Sequence, residues 1–169
     1  MLWCLLVLSL PTDNATARMR AWRALKAGGA AVLRDGVYLL PESEAHRTLL
    51  RAVADDVLAN GGSARVFGGV ASDEPLEALF DRAADFAALL TDARTTNAAA
   101  TASARSLATA AAAQPRRADV GNANAVRAAR RLRKTLDQLV AIDFFPGEAQ
   151  RQASETVAEL EQQVARLDA

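Results

Sequence analysis

The chain has 169 residues, with 20 Lys and Arg balanced by 20 Asp and Glu, and a single Cys and a single His. Zero net charge leaves no whole-molecule field to draw in nucleic acid or membrane, so such a partner would need a local patch. Cys4 alone excludes an intrachain disulfide or a cysteine-based metal cluster, and His46 alone excludes most zinc sites and any histidine triad that does not use it.

Trp3 to Ser9 is a short apolar run that ends at the turn signal Pro11-Thr12-Asp13-Asn14. It lacks a basic leader and a small-x-small cleavage site, so it reads as a buried strand rather than a targeting segment. Asp13, Asn14 and Thr16 offer helix N-caps. The helix that follows, Thr16 to Lys26, is expected to bury Met19, Trp22 and Leu25 on one face, with Arg18, Arg20, Arg23 and Lys26 on the others. Gly28-Gly29 stops it. Asp35-Gly36 between the apolar runs Ala30–Leu33 and Val37–Leu40 is a strong hairpin signal. Pro41 closes the second of these strands.

Ser43 can cap a helix to about Ala59, with Leu49, Leu50, Val53 and Val57 at helical spacing. Asn60-Gly61-Gly62 breaks it, and Ala64 to Val70 reads as a last strand. The order β-α-β-β-α-β, with a right-handed crossover and one hairpin, implies a four-stranded sheet with two helices on one face. The expected fold class is therefore α+β: a ferredoxin-like βαββαβ sandwich over 1–70, followed by an all-α helical bundle extension of about three helices over 73–169. The two parts are expected to pack as one folded body.

From Asp73 onward no strand pattern remains. Leu76, Leu79, Phe80, Ala83, Phe86, Ala87 and Leu90 form a helical stripe. Residues 97–113 are alanine- and threonine-rich, which reads as a continuing helix or a connector, closed by Pro115. A third segment, 119–143, carries Leu132, Leu136, Leu139 and Ile142, and Phe144-Phe145-Pro146-Gly147 forms a turn with two apolar anchors. In the last helix, Glu148 to Leu167, the residues Ala153, Val157, Leu160, Val164 and Leu167 follow a heptad seam that needs a partner helix, in this chain or a second copy.

Charge is unevenly spread. Arg116, Arg117, Arg127, Arg130, Arg131, Arg133 and Lys134 fall in one short stretch against Asp119 alone, and the helices around it are acidic. Such a block can neutralise DNA phosphates, or it can pair with its acidic neighbours; both readings stand on the residues alone. A second candidate is the N-terminus of the first helix, where Asn14, Thr16 and Arg18 could hold an anion. Simple capping is the alternative there. Cys4 on a core strand reads as a buried, inert thiol. His46 reads as a solvated helix position. Asp55-Asp56 point apart on a helix. Gly61-Gly62 and Gly68-Gly69 read as turn glycines. No set of residues assembles an active site, and no metal or cofactor is expected.

The stretch Leu10-Pro11 through Arg18-Met19-Arg20-Ala21-Trp22-Arg23-Ala24-Leu25-Lys26, then Gly29-Ala30 and Leu33-Arg34-Asp35-Gly36-Val37-Tyr38-Leu39-Leu40-Pro41, resembles the N-terminal domain of the ChrB family of bacterial chromate-resistance regulators. Phe80, Arg82, Asp85-Phe86, Arg130-Arg131-Leu132 and Ile142-Asp143-Phe144-Phe145 agree with it. Phe86 stands where the family carries tyrosine, so no role of that hydroxyl is expected here. The resemblance implies a cytoplasmic, non-enzymatic regulator of a chromate-efflux operon, with promoter DNA as partner. It also implies a C-terminal sensor domain beyond this chain. DNA contact would fall on Arg116 to Lys134, helped by Arg18, Arg20 and Arg23. A homodimer is expected, and no membrane partner. The alternative is a non-enzymatic dimerisation or structural module without DNA binding of its own.

Overall fold

The computed structural model describes the backbone of residues 1–110 and 115–167, and the side chains of residues 1–102 and 123–166. The chain forms two compact units, Met1–Asp81 with Ile142–Phe145, and Arg82–Ala141 with Pro146–Ala169. The fold is mixed, with one four-stranded antiparallel sheet and five α-helices among the described residues.

In the first unit the elements run β1 (Leu2–Ser9), α1 (Ala15–Ala27), β2 (Ala31–Arg34), β3 (Val37–Pro41), α2 (Glu44–Ala59) and β4 (Ser63–Ala71). The strand order is β2-β3-β1-β4, and every neighbouring pair is antiparallel. β1, the most apolar segment, therefore lies inside the sheet between β3 and β4. Gly36 takes φ +74° at the tip of the β2–β3 hairpin, and a Cβ there would sit 2.6 Å from the Leu8 carbonyl oxygen. Only glycine fits both demands.

Adjacent strand residues point to opposite faces, yet Trp3 and Cys4 are both buried, as are Leu39, Leu40 and Pro41. Both faces are thus covered at this end of the sheet. On one side α1 and α2 contribute Leu25, Leu50, Val53 and Val57. On Trp3's side, Phe80 stacks on its ring at 5.5 Å and Phe145 packs tilted at 6.3 Å. Each fully buried Leu of this core contributes ~1.5–3 kcal/mol of transfer free energy.

Three expectations are corrected here. The stripe from Leu76 to Leu90 is not one helix. Glu77–Phe80 is a single 3₁₀ turn whose Phe80 enters the first unit's core, and α3 begins only at Ala83. Gly68-Gly69 is not a turn but lies within β4, where the register with β1 shifts and Gly69 takes φ +65°. Such a bulge suits glycine because the extra residue needs a left-handed conformation. In α1 the buried residues are Ala17, Ala21 and Leu25, whereas Met19 and Trp22 are 43% and 42% exposed. Alanine lets the helix lie close to its neighbours, so the bulky side chains face out.

The second unit is all helical: α3 (Ala83–Ala110), α4 (Pro115–Ala141) and α5 (Glu148–Leu167). Pro115 opens α4, a position where its missing N–H costs nothing. The alanine-rich stretch is helical through Ala110; residues 111–114 lie outside the described ones. Phe86 and Leu89 of α3, Leu132 and Leu136 of α4, and the α5 seam Ala153, Val157, Leu160 and Val164 form one core. The seam's partners are therefore α3 and α4 of the same chain. Among the described residues, no helix is long and apolar enough to cross a membrane.

Candidate nucleic-acid interface

α4 is strongly amphipathic. Ala125, Ala129, Leu132 and Leu136 are buried, at spacings of four and three that trace one face. Arg127, Arg131 and Lys134 repeat with the same spacing, offset by two residues from Ala125, Ala129 and Leu132, and Arg130 falls on the same side, three residues after Arg127; all four are exposed. At 100° per residue that offset carries them to the opposite side of the helix. Packing that buries the apolar stripe therefore presents the cations together over about two turns, roughly 10 Å of helix axis.

Partners decide which of these cations are available. Arg133 faces sideways and forms a two-pronged pair with Glu161 of α5, its Nε donating to Oε1 at 2.9 Å. Glu161 holds the Arg133 guanidinium pKa above its ordinary value, mainly through this hydrogen bond, and Arg133 lowers that of Glu161. Arg127 donates to Asn124 Oδ1 at 2.7 Å, a neutral partner that leaves the charge uncompensated. Among the described residues, Arg127, Arg130, Arg131 and Lys134 form no ion pair with a carboxylate. The acidic neighbours instead take cations of their own. Glu148 and Glu155 pair with Arg151 on the same helix. Arg116 and Arg117 stand in the first turn of α4, and their side chains lie outside the described residues.

The α1 candidates are arranged differently. Asn14 caps the helix, its Oδ1 accepting from the Ala17 N–H at 3.1 Å, while its Nδ2 reaches the Asn60 carbonyl at 3.4 Å. Arg18 donates to the Pro11 carbonyl at 2.9 Å, and Arg20 forms a bidentate pair with Asp56 at 2.9 and 2.8 Å. Thr16 is exposed in the first turn. Asn14 and Arg18 are thus each engaged by groups of the chain itself. The nearby shallow groove, about 480 Å³, is lined by Ala15, Thr16, Met19, Arg20 and Arg23.

A cluster that sequence reading did not assemble lies beside the β4 bulge. Glu42 Oε2 accepts from the Gly69 N–H at 2.7 Å and from the Cys4 thiol at 3.1 Å. Its Oε1 lies 2.8 Å from Arg47 Nε, as an ion pair without hydrogen-bond alignment. The Gly69 N–H, then the Cys4 thiol and the Arg47 charge, hold the Glu42 carboxyl below the usual range. Burial, then the Glu42 contact, pushes the Cys4 thiol up. A protonated, fully buried thiol is a poor nucleophile, as its strand position suggests. The cluster ties β1 and β4 to the turn between β3 and α2, where the bulge interrupts pairing. His46 is also better held than its helix position implies. Its Nδ1 lies 2.7 Å from the Pro41 carbonyl oxygen, and its ring meets the Phe144 ring edge-on at 4.9 Å.

Against known proteins, the chain is 38% identical over 155 residues to Protein ChrB of Cupriavidus metallidurans, an alignment covering 89% of this chain. The chain resembles ChrB along nearly its whole length. It spans 43% of the length of ChrB, so the likeness concerns a ChrB-like domain rather than the whole protein. No family profile matches the chain, and no solved structure matches it.

Proposed function

We propose that the chain is the N-terminal domain of a ChrB-type, chromate-responsive transcriptional regulator, and that it binds promoter DNA through α4. The observation that carries this reading is the row Arg127, Arg130, Arg131 and Lys134. It stands opposite the buried face of α4 and has no carboxylate partner among the described residues. A cation that is neither paired nor buried keeps its full attraction for phosphate, and each phosphate neutralised releases counterions. On this reading the protein is a cytoplasmic, non-enzymatic regulator. Its first unit is a ferredoxin-like sandwich, a label supported by the βαββαβ order and the β2-β3-β1-β4 sheet.

A second reading, a dimerisation module, draws on the sheet. Val7 and Phe67 are 39% and 46% exposed, apolar residues on a face that Phe80 and Phe145 cover only near Trp3. The test is an anisotropy titration of the chain against the duplex upstream of its own operon and a scrambled duplex, each at two salt concentrations. Preferred binding to the native duplex, weakening as salt rises, supports the regulator. No binding at low salt, with a concentration-dependent mass in sedimentation, would replace it with the dimerisation module.

A further inference from the structure

We infer that the outward face of α1 is a second duplex-DNA contact, formed by Arg23 and Lys26 on phosphates and Trp22 packed against the sugar backbone. The inference deepens, and rests on, the nucleic-acid reading above. It starts from the way α1 is packed. Because Ala17, Ala21 and Leu25 make the buried face, Met19 and Trp22 are left 43% and 42% exposed. Two large apolar side chains three residues apart on one helix face are more than scattered surface residues.

Charge identifies what would cover them. The helix carries Arg18, Arg20, Arg23 and Lys26 and no carboxylate. Arg20 is spent on Asp56, and Arg18 is tied to the Pro11 carbonyl. Among the described residues Arg23 has no hydrogen-bond or ion-pair partner, and Lys26 Nζ sits 4.9 Å over the Trp22 ring. A second copy of α1 would bring like charges together, which excludes self-pairing through this face. The complement is anionic. A nucleic-acid backbone offers regularly spaced phosphates for the cations and sugar rings for the indole, and contacts of this type set position rather than sequence preference.

The test uses the full chain and its intrinsic fluorescence. The protein has two tryptophans, and Trp3 is 2% exposed, so a change on titration with duplex reports on Trp22. The expected result is a change in emission and protection from acrylamide on adding duplex. Trp22→Phe should abolish that change while binding persists. Arg23→Ala with Lys26→Ala should lower the salt slope by about 2. Binding with unchanged emission and an unchanged slope would overturn this inference and leave the α4 reading intact. No binding to any duplex would overturn both. Stronger protection of Trp22 by poly-glutamate or by a single-stranded oligonucleotide than by duplex would overturn it in favour of those partners.

Discussion

Two basic helices, α1 and α4, carry similar densities of arginine, yet the fold disposes of them in different ways. In α1 half of the cations are engaged by groups that arrive from elsewhere. Asp56 comes from α2, 36 positions along the chain, and the Pro11 carbonyl comes from the preceding turn. In α4 a partner from α5 takes Arg133, which points sideways, while the four cations opposite the core pair with no carboxylate among the described residues. The number of charges in a segment therefore says little about a binding surface. What counts is the angle of each cation to the buried face and the acids that tertiary packing brings beside it.

The comparison can be broken from its packing side first. Leu136→Ala removes a side chain 2% exposed in the α3–α4–α5 core. It should cost ~2–5 kcal/mol in denaturant unfolding, and loss of DNA binding should follow loss of structure. The matching change in α1 is opposite in sense. Ala21→Leu forces bulk into the contact that alanine keeps close, and should cost ~1–3 kcal/mol by the same measurement. If Ala21→Leu were neutral, the close-packed alanine face would not be what turns Met19 and Trp22 outward.

These two helices also mark what could be read before any coordinates. Punctuation was legible in the first unit. Asp35-Gly36, Pro41, Ser43 and Asn60-Gly61-Gly62 each constrain the backbone locally and fall where elements end. The α5 seam was legible for the same reason, since four-and-three spacing has one geometric meaning. The buried face of α1 was not, because a rule that weighs apolar bulk prefers Met19 and Trp22 to alanine. Phe80 and Phe145 reach Trp3 from distant positions, and no local pattern encodes that contact. The basic block was visible as composition, but its division into paired Arg133 and an unpaired row required Glu161 from α5.

Smaller effects sharpen the paired half of the comparison. Arg133 and Glu161 are both more than a third exposed, so solvent screens them, and Glu161→Gln should cost no more than ~1 kcal/mol. Its pH dependence is more telling. Arg133 lowers the folded Glu161 pKa below 4.5, so the pair's contribution is complete above that range and fades as pH falls through the depressed value. Stability curves of the native chain and Glu161→Gln should therefore converge towards acid; parallel curves would show that the pair contributes nothing. Arg130→Ala, on the unpaired side, should change stability by less than ~0.5 kcal/mol. It should nevertheless lower the salt slope of DNA binding by about 1.

The central claim is that α4's outward row meets phosphate, and its most direct test is the slope of log K against log salt for duplex binding. The native chain is compared with a variant carrying Ala at Arg127, Arg130, Arg131 and Lys134. The account predicts a slope less steep by about 3.6 units in the variant, with the thermal transition unmoved. Equal slopes in the two proteins would contradict it.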